Sequence, residues 1–229
     1  ERCVLRVAPS LRVAQQAAVS MEQAAKRPGH VLIVGNPLPT PSLFSSLPFA
    51  EAEVNAVEDI LNRAGVEVRQ EHFFRSNRRP RATKGRVMQA LAGAGWVHFA
   101  CHADLDTDSL VLAMPESDDP DADRAANDAQ MFDAELAEYM AQESTDGVDE
   151  EWIRKQKAAL TSLTMEEVQG SETSVGVQLG KGATVFMSAC NTAKGNIRAE
   201  GVVGMSRSCF AAGAAATVVS LWSIDDLST

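Results

Sequence analysis

The chain has 229 residues, 45% of them hydrophobic and 23% charged. That composition suits one globular α/β domain and excludes collagen-like structure and disorder throughout. The net charge of −10 is concentrated, since residues 116–151 hold 14 acidic residues against Arg124 alone while the rest of the chain is close to neutral, so bulk acidity says nothing about partners.

In chain order, residues 30–37 form a continuous apolar run closed by Gly35-Asn36-Pro37, which predicts a strand buried on both faces of a parallel sheet. Residues 49–64 have helical spacing, with Val54, Val57, Ile60 and Leu61 on one face, Glu51, Glu53, Glu58 and Asp59 elsewhere, and Gly65 as the terminating glycine. Residues 66–69 predict a short second strand, 84–92 an amphipathic helix and 96–102 a third strand. Residues 184–190 predict a fourth strand, 201–212 a helix ending at Gly213, and 216–222 a fifth strand. This alternation argues for an open, mainly parallel sheet with helices on both faces.

Residues 115–165 break the rhythm. They open with Pro115-Glu116-Ser117-Asp118-Asp119-Pro120-Asp121 and are expected to be an acidic surface insertion, partly helical over 130–143 and 150–163. The start at Glu1 and the stop at Thr229, soon after a strand pattern, lead to the expectation that the domain continues at both ends.

No apolar run reaches the ~20 residues that span a bilayer, and residues 1–6 lack a secretory signal's apolar stretch. Four cysteines are too few for a disulfide scaffold and fit a reducing, cytoplasmic compartment, where a thiol is structural, metal-binding or catalytic.

Two residues carry the chemistry. His102 closes one predicted buried strand and Cys190 closes another, and in open α/β sheets reactive groups collect beyond the carboxyl ends of the strands. A thiol with a pKa near ~8.5 needs a neighbouring imidazole to act as a nucleophile at neutral pH. If the two strands are neighbours, the pair is a Cys–His dyad. His precedes Cys, the order of caspase-like enzymes. The two are 88 residues apart, and removing the 36-residue acidic segment leaves 52, close to the ~50 of caspases.

The chain resembles the CHAT domain, a caspase-like, separase-related cysteine peptidase domain often associated with tetratricopeptide repeats. The resemblance rests on Leu47-Pro48-Phe49-Ala50-Glu51-Ala52-Glu53-Val54 and Val97-His98-Phe99-Ala100-Cys101-His102-Ala103. It continues in Phe186-Met187-Ser188-Ala189-Cys190-Asn191-Thr192, in residues 200–207 and in residues 212–229. It covers most of the chain outside 115–165 and implies one caspase-like peptidase domain over residues 1–229.

The resemblance further implies His102 as general base, Cys190 as nucleophile, and an oxyanion hole from the backbone N–H groups of Ala103 and Cys190. It implies a protein or peptide substrate, a regulatory repeat domain in the same protein or complex, and no metal or cofactor. Ala103 departs from the glycine frequent in the family, and a Cβ there demands tolerable backbone dihedrals. Asn191 departs from the family's common glutamate. In related peptidases an acidic residue near Asp225 and Asp226 lines the specificity pocket, while the competing reading of Asp226 is a helix N-cap. The rival to an active peptidase is an inactive CHAT-like module used for protein interaction.

The remaining motifs have plainer readings. Cys101 and Cys209 read as core packing. No Cys-x₂-Cys or His-x₃-His spacing supports zinc. The six cations of residues 75–86 have no interleaved aromatics, so no nucleic-acid partner is expected; they are a solvated run or pair with the acidic insertion. Gly180-Lys181-Gly182 lacks phosphate-loop spacing.

Overall fold

The computed structural model describes residues 10–24, 29–37, 44–75, 80–104, 107–116, 118, 160–171, 174–189, 196–198, 201–203 and 205–220. Helix α1 (Leu11–Ala24), which the sequence reading did not anticipate, precedes β1 (His30–Gly35). Helix α2 (Pro48–Arg63) starts on a proline, where the missing N–H costs nothing. It ends with Gly65 at φ 76° and bonds Gly65 N–H to Asn62 O and Val66 N–H to Leu61 O, the glycine stop expected of a left-handed C-terminal residue.

The second strand is not at residues 66–69. Val66 is exposed, and a 3₁₀ turn intervenes before β2 (Phe73–Arg75). What places β2 is its pairing with the last half of β1, Ile33 to Phe73 through Gly35 to Arg75, which residues 66–69 do not make. Helix α3 (Lys84–Leu91) and β3 (Ala94–Ala100) follow. The third strand therefore stops two residues short of His102.

Beyond His102 the chain turns into a small antiparallel sheet of β4 (Ala103–Asp104), β5 (Ser109–Val111) and β6 (Ser162–Thr164). Ser162 and Leu163 are buried strand residues, which corrects the helix read over 150–163 at its end; residues 119–159 lie outside the described residues. Helix α4 (Met165–Gln169) opens on a capping box, Thr164 Oγ1 accepting from Glu167 N–H while the Glu167 carboxylate accepts from Thr164 N–H.

Then come β7 (Ala183–Ser188), a hairpin of β8 (Asn196–Arg198) and β9 (Gly201–Val203), helix α5 (Met205–Ala211) and β10 (Ala214–Val219). The helix read over 201–212 is thus split. Its first residues are a strand because Val202 and Val203 pair back onto Ile197 and Asn196.

The main sheet is all parallel, in the order β10-β7-β3-β1-β2. Its alternating side chains feed two cores. On one face Leu32, Val34, Val97, Phe99, Cys101, Val185 and Met187 pack with α3, α4 and α5; on the other Val31, Ile33 and Ala100 pack with Ala50 and Val54 of α2. Gly35 lets α2 approach, since a Cβ there would lie 2.3 Å from a Val54 methyl. Ile60, assigned to the buried face from the sequence, is 61% exposed, because Val54, Val57 and Leu61 already fill that contact.

The basic run pairs with acids in cis. Arg86 holds Glu116 at 2.6 Å and Asp118 at 2.7 Å, Arg81 lies 3.7 Å from Glu116, and Lys84 holds Glu167 at 3.0 Å. The elements on both sides of residues 119–159 are therefore fastened to α3. Among the described residues no helix is long and apolar enough to cross a membrane.

Candidate active site

The sheet order reverses between β1 and β3, since β2 lies on one side of β1 and every later strand on the other. That reversal opens a crevice at the carboxyl edge. The sequence reading required the third and fourth predicted strands to be neighbours, and β3 and β7 are adjacent and parallel, paired from Trp96–Thr184 to Ala100–Ser188. His102 follows the last paired residue of β3 by two positions, and Cys190 follows that of β7 by two. Cys190 itself, like Asp225 and Asp226, lies outside the described residues.

His102 is partly exposed, with its Nε2 2.8 Å from the carbonyl oxygen of Ser45 and its ring 5.1 Å from that of Phe44. A carbonyl only accepts, so Nε2 carries the hydrogen and, in the neutral ring, Nδ1 keeps the free lone pair.

The Ser45 carbonyl is set by Asn36. Asn36 is buried at the end of β1 with φ 45°, a left-handed conformation that asparagine tolerates better than most residues. Its N–H donates to Ala100 O at 2.8 Å, its Oδ1 accepts from Leu47 N–H at 2.7 Å, and its Nδ2 donates to Ser46 Oγ at 3.1 Å. One residue thus ties the ends of β1 and β3, through its backbone N–H, to the segment that orients the imidazole, through its side chain. From the sequence alone Asn36 is only a turn residue closing the apolar run.

Ala103 sits opposite Leu110, and Val111 N–H donates to His102 O. In an antiparallel ladder this alternation makes Ala103–Leu110 a non-hydrogen-bonded pair, so the Ala103 N–H faces away from β5. Its φ is not positive, Asn36 and Asp108 being the two non-glycine residues with positive φ among those described. A Cβ is therefore tolerated where the family often has glycine.

Beneath the strand ends lies a buried polar group that the sequence reading missed. Glu53 of α2 accepts from His98 Nε2 at 2.9 Å and from Ser188 Oγ at 3.1 Å. The His98 and Glu53 side chains are 7% and 17% exposed. Trp96 stacks against the His98 ring, centroids 5.7 Å apart and planes 9° from parallel. Ser188 bonds the carboxylate and not the imidazole, so this is no nucleophile–base pair. On the other side of the same strand end, Ser220 Oγ donates to Ala189 O.

Cys101 and Cys209 are free, buried thiols whose pKa values burial pushes up to about 12, and both sit in the core as expected. Neither is ionised near neutral pH.

A family model described as CHAT domain matches residues 1–229. Tetratricopeptide repeat protein 28 of mouse is 27% identical over 197 residues, which is 84% of this chain and 7% of that protein. The human protein of the same name is 28% identical over 144 residues, 62% of this chain and 5% of that protein. The chain thus spans less than a tenth of these curated relatives. No solved structure matches.

Proposed function

The chain belongs to the CHAT-domain family, and on that footing we propose that it is a cysteine endopeptidase working through a Cys190–His102 dyad. The observation that carries this reading is the placement of His102 at the carboxyl end of β3, its Nε2 engaged by Ser45 O, beside the strand that leads to Cys190.

In the proposed reaction, Nδ1 of His102 takes the thiol proton and Sγ of Cys190 attacks the peptide carbonyl carbon. The oxyanion is held by the N–H groups of Ala103 and Cys190, a donor of this kind being worth roughly 3–4 kcal/mol in other enzymes. The imidazolium protonates the leaving amine. Water, deprotonated by the same nitrogen, then releases the acid and restores the thiol. The Ser45 carbonyl holds the Nε2–H and keeps Nδ1 as the working atom.

Asp226, with Asp225 beside it, is proposed as the lining of the pocket for the residue before the cleaved bond. A partly desolvated carboxylate there selects Arg, by bidentate geometry, over Lys, Leu and Asp. A regulatory repeat domain is the proposed partner, in line with the names of the relatives. The free thiols of Cys101 and Cys209 support a reducing, cytoplasmic setting.

The rival reading, an inactive interaction module, draws on those same relatives, whose names denote repeats and no peptidase. Peptide-library profiling of the full-length protein beside Cys190→Ala tests the two. Cleavage lost in the variant supports the peptidase; identical profiles reject it. Asp226→Asn that leaves a preference for Arg unchanged rejects the acidic pocket and leaves the dyad standing.

A further inference from the structure

We infer that Glu53, with His98 and Ser188, is a positioning device that sets how closely the strand end carrying Cys190 approaches His102; the inference rests on the peptidase reading. Glu53 reaches 45 residues along the chain to His98 on β3 and 135 residues to Ser188 on β7. One carboxylate therefore spans the two strands near their carboxyl ends, Ser188 lying in the last pair, opposite Ala100, and His98 two pairs earlier, opposite Phe186. Ser188 precedes Cys190 by two residues and His98 precedes His102 by four, so both anchors lie close in the chain to the residues of the proposed dyad.

The sheet by itself leaves this distance open. Hydrophobic alternation excludes a slip of one residue, which would turn each side chain to the other face. A slip of two keeps every face correct and moves one strand by ~6.6 Å along its neighbour. Such a slip would strip a largely buried carboxylate of its serine or its imidazole, and a desolvated polar group left unsatisfied is costly, more so when charged. Nδ1 of His98 has no hydrogen-bond partner among the described residues, so the ring's polar anchorage is the bond to Glu53. Trp96 stacks over the His98 ring and helps to fix its plane. The hydroxyl of Ser188 acts through Glu53 and touches no reacting atom; it is a positioning residue, as is Glu53.

The test is the rate at which iodoacetamide alkylates Cys190 in the full-length protein, mapped by mass spectrometry near neutral pH and again well above the ~8.5 of a free thiol. Ser188→Ala removes one hydroxyl and should slow alkylation several-fold near neutral pH. Glu53→Ala should slow it about 10-fold, towards the rate of an unassisted thiol. At alkaline pH, where the thiol ionises unaided, the variants should match wild type. Ser188→Thr, which keeps the hydroxyl, should restore the neutral rate, and adding Ser188→Ala to Glu53→Ala should change nothing further.

Cys101 and Cys209, buried with pKa values about 12, report unfolding by becoming reactive; should Glu53→Ala expose them, Ser188→Ala alone decides. Wild-type speed at neutral pH in Ser188→Ala, with Cys101 and Cys209 still inert, overturns the inference and leaves the peptidase standing. A wild-type Cys190 no faster than a free thiol overturns both.

Discussion

The imidazole Nε2 of His102 lies 2.8 Å from the carbonyl oxygen of Ser45, a residue 57 positions earlier in the chain. That bond decides which ring nitrogen is available as a base, and it depends on Asn36, which fixes the next two residues, Ser46 and Leu47. The arrangement of the site is therefore imposed from the end of β1 as much as from β3.

Replacing Asn36 separates two contributions. Asn36→Gly keeps the left-handed backbone and loses two side-chain hydrogen bonds, a cost of about 1–3 kcal/mol. Asn36→Ala loses the same bonds and adds the strain of a Cβ at φ 45°, a further ~1–2 kcal/mol. Urea unfolding should rank wild type above Gly and Gly above Ala. Equal stabilities for the two variants would mean that the left-handed conformation is not what asparagine supplies.

Cys190→Ala and His102→Ala should each abolish peptide cleavage while leaving the midpoint of thermal unfolding close to wild type. The double variant should be no slower than either single one, because residues of the proposed dyad would act as a unit. Single-turnover assays on the best library peptide measure this. A double variant far slower than both singles would deny that the two act together.

Alkaline stability should be limited by the buried thiols. Cys101 and Cys209 have pKa values raised from 9.0 to about 12 by burial. Above 9.0 the unfolded chain releases protons that the folded chain keeps, so stability falls as pH rises and is unaffected below. The loss approaches ~1.4 kcal/mol per pH unit per thiol. The Cys101→Ala/Cys209→Ala variant should start less stable at pH 7 and decline less steeply between pH 9 and 11, measured by denaturant titration. Parallel slopes would contradict the burial of these thiols.

Arg86 holds the segment that leaves the core at Glu116 and Asp118, with its own side chain 10% exposed and that of Glu116 15%. Removing one partner of a largely buried pair costs up to ~3–5 kcal/mol. Arg86→Ala should therefore destabilise by about 2 kcal/mol or more, the exposure of Asp118 and the remaining Arg81 softening the loss. Arg81→Ala, at a more exposed group with a longer contact, should cost under ~1 kcal/mol. Thermal melts that rank the two in the opposite order would refute this weighting.

Engineering a protease site into residues 119–159 and cutting it should leave the two pieces associated. The β5–β6 pairing, the buried Leu110 and Leu163, and the ion pairs to α3 hold both flanks. Native mass spectrometry should show a single complex of the two fragments. Their separation without denaturant would mean these contacts do not outweigh the cost of association.

What the sequence by itself determined is the part of this protein written in local pattern. The apolar run at 31–34 and the helical spacing of Val54, Val57 and Leu61 each report burial directly, because side-chain direction repeats every two residues in a strand and every 3.6 in a helix. Gly65 reports its own left-handed turn. The same patterns placed His102 as the last residue of a strand, two residues beyond where β3 ends, and sent Cys101 to the core on the other face.

Pattern does not carry partners. Val66-Glu67-Val68 looks as strand-like as Phe73-Phe74-Arg75, and only pairing with Ile33–Gly35 decides for the latter. Glu53 reads as one more solvent-facing acid on an amphipathic helix until β3 and β7 bring His98 and Ser188 to it across 45 and 135 residues. Asn36 reads as a turn residue until Ser46 and Leu47 fold back onto it. A hydrogen bond between distant residues leaves no periodic trace, since its worth depends on desolvation that exists only once the chain has closed around it. That is why the two strand ends could be read from the chain, while the tertiary structure alone decided what orients the histidine and what holds the strands in register.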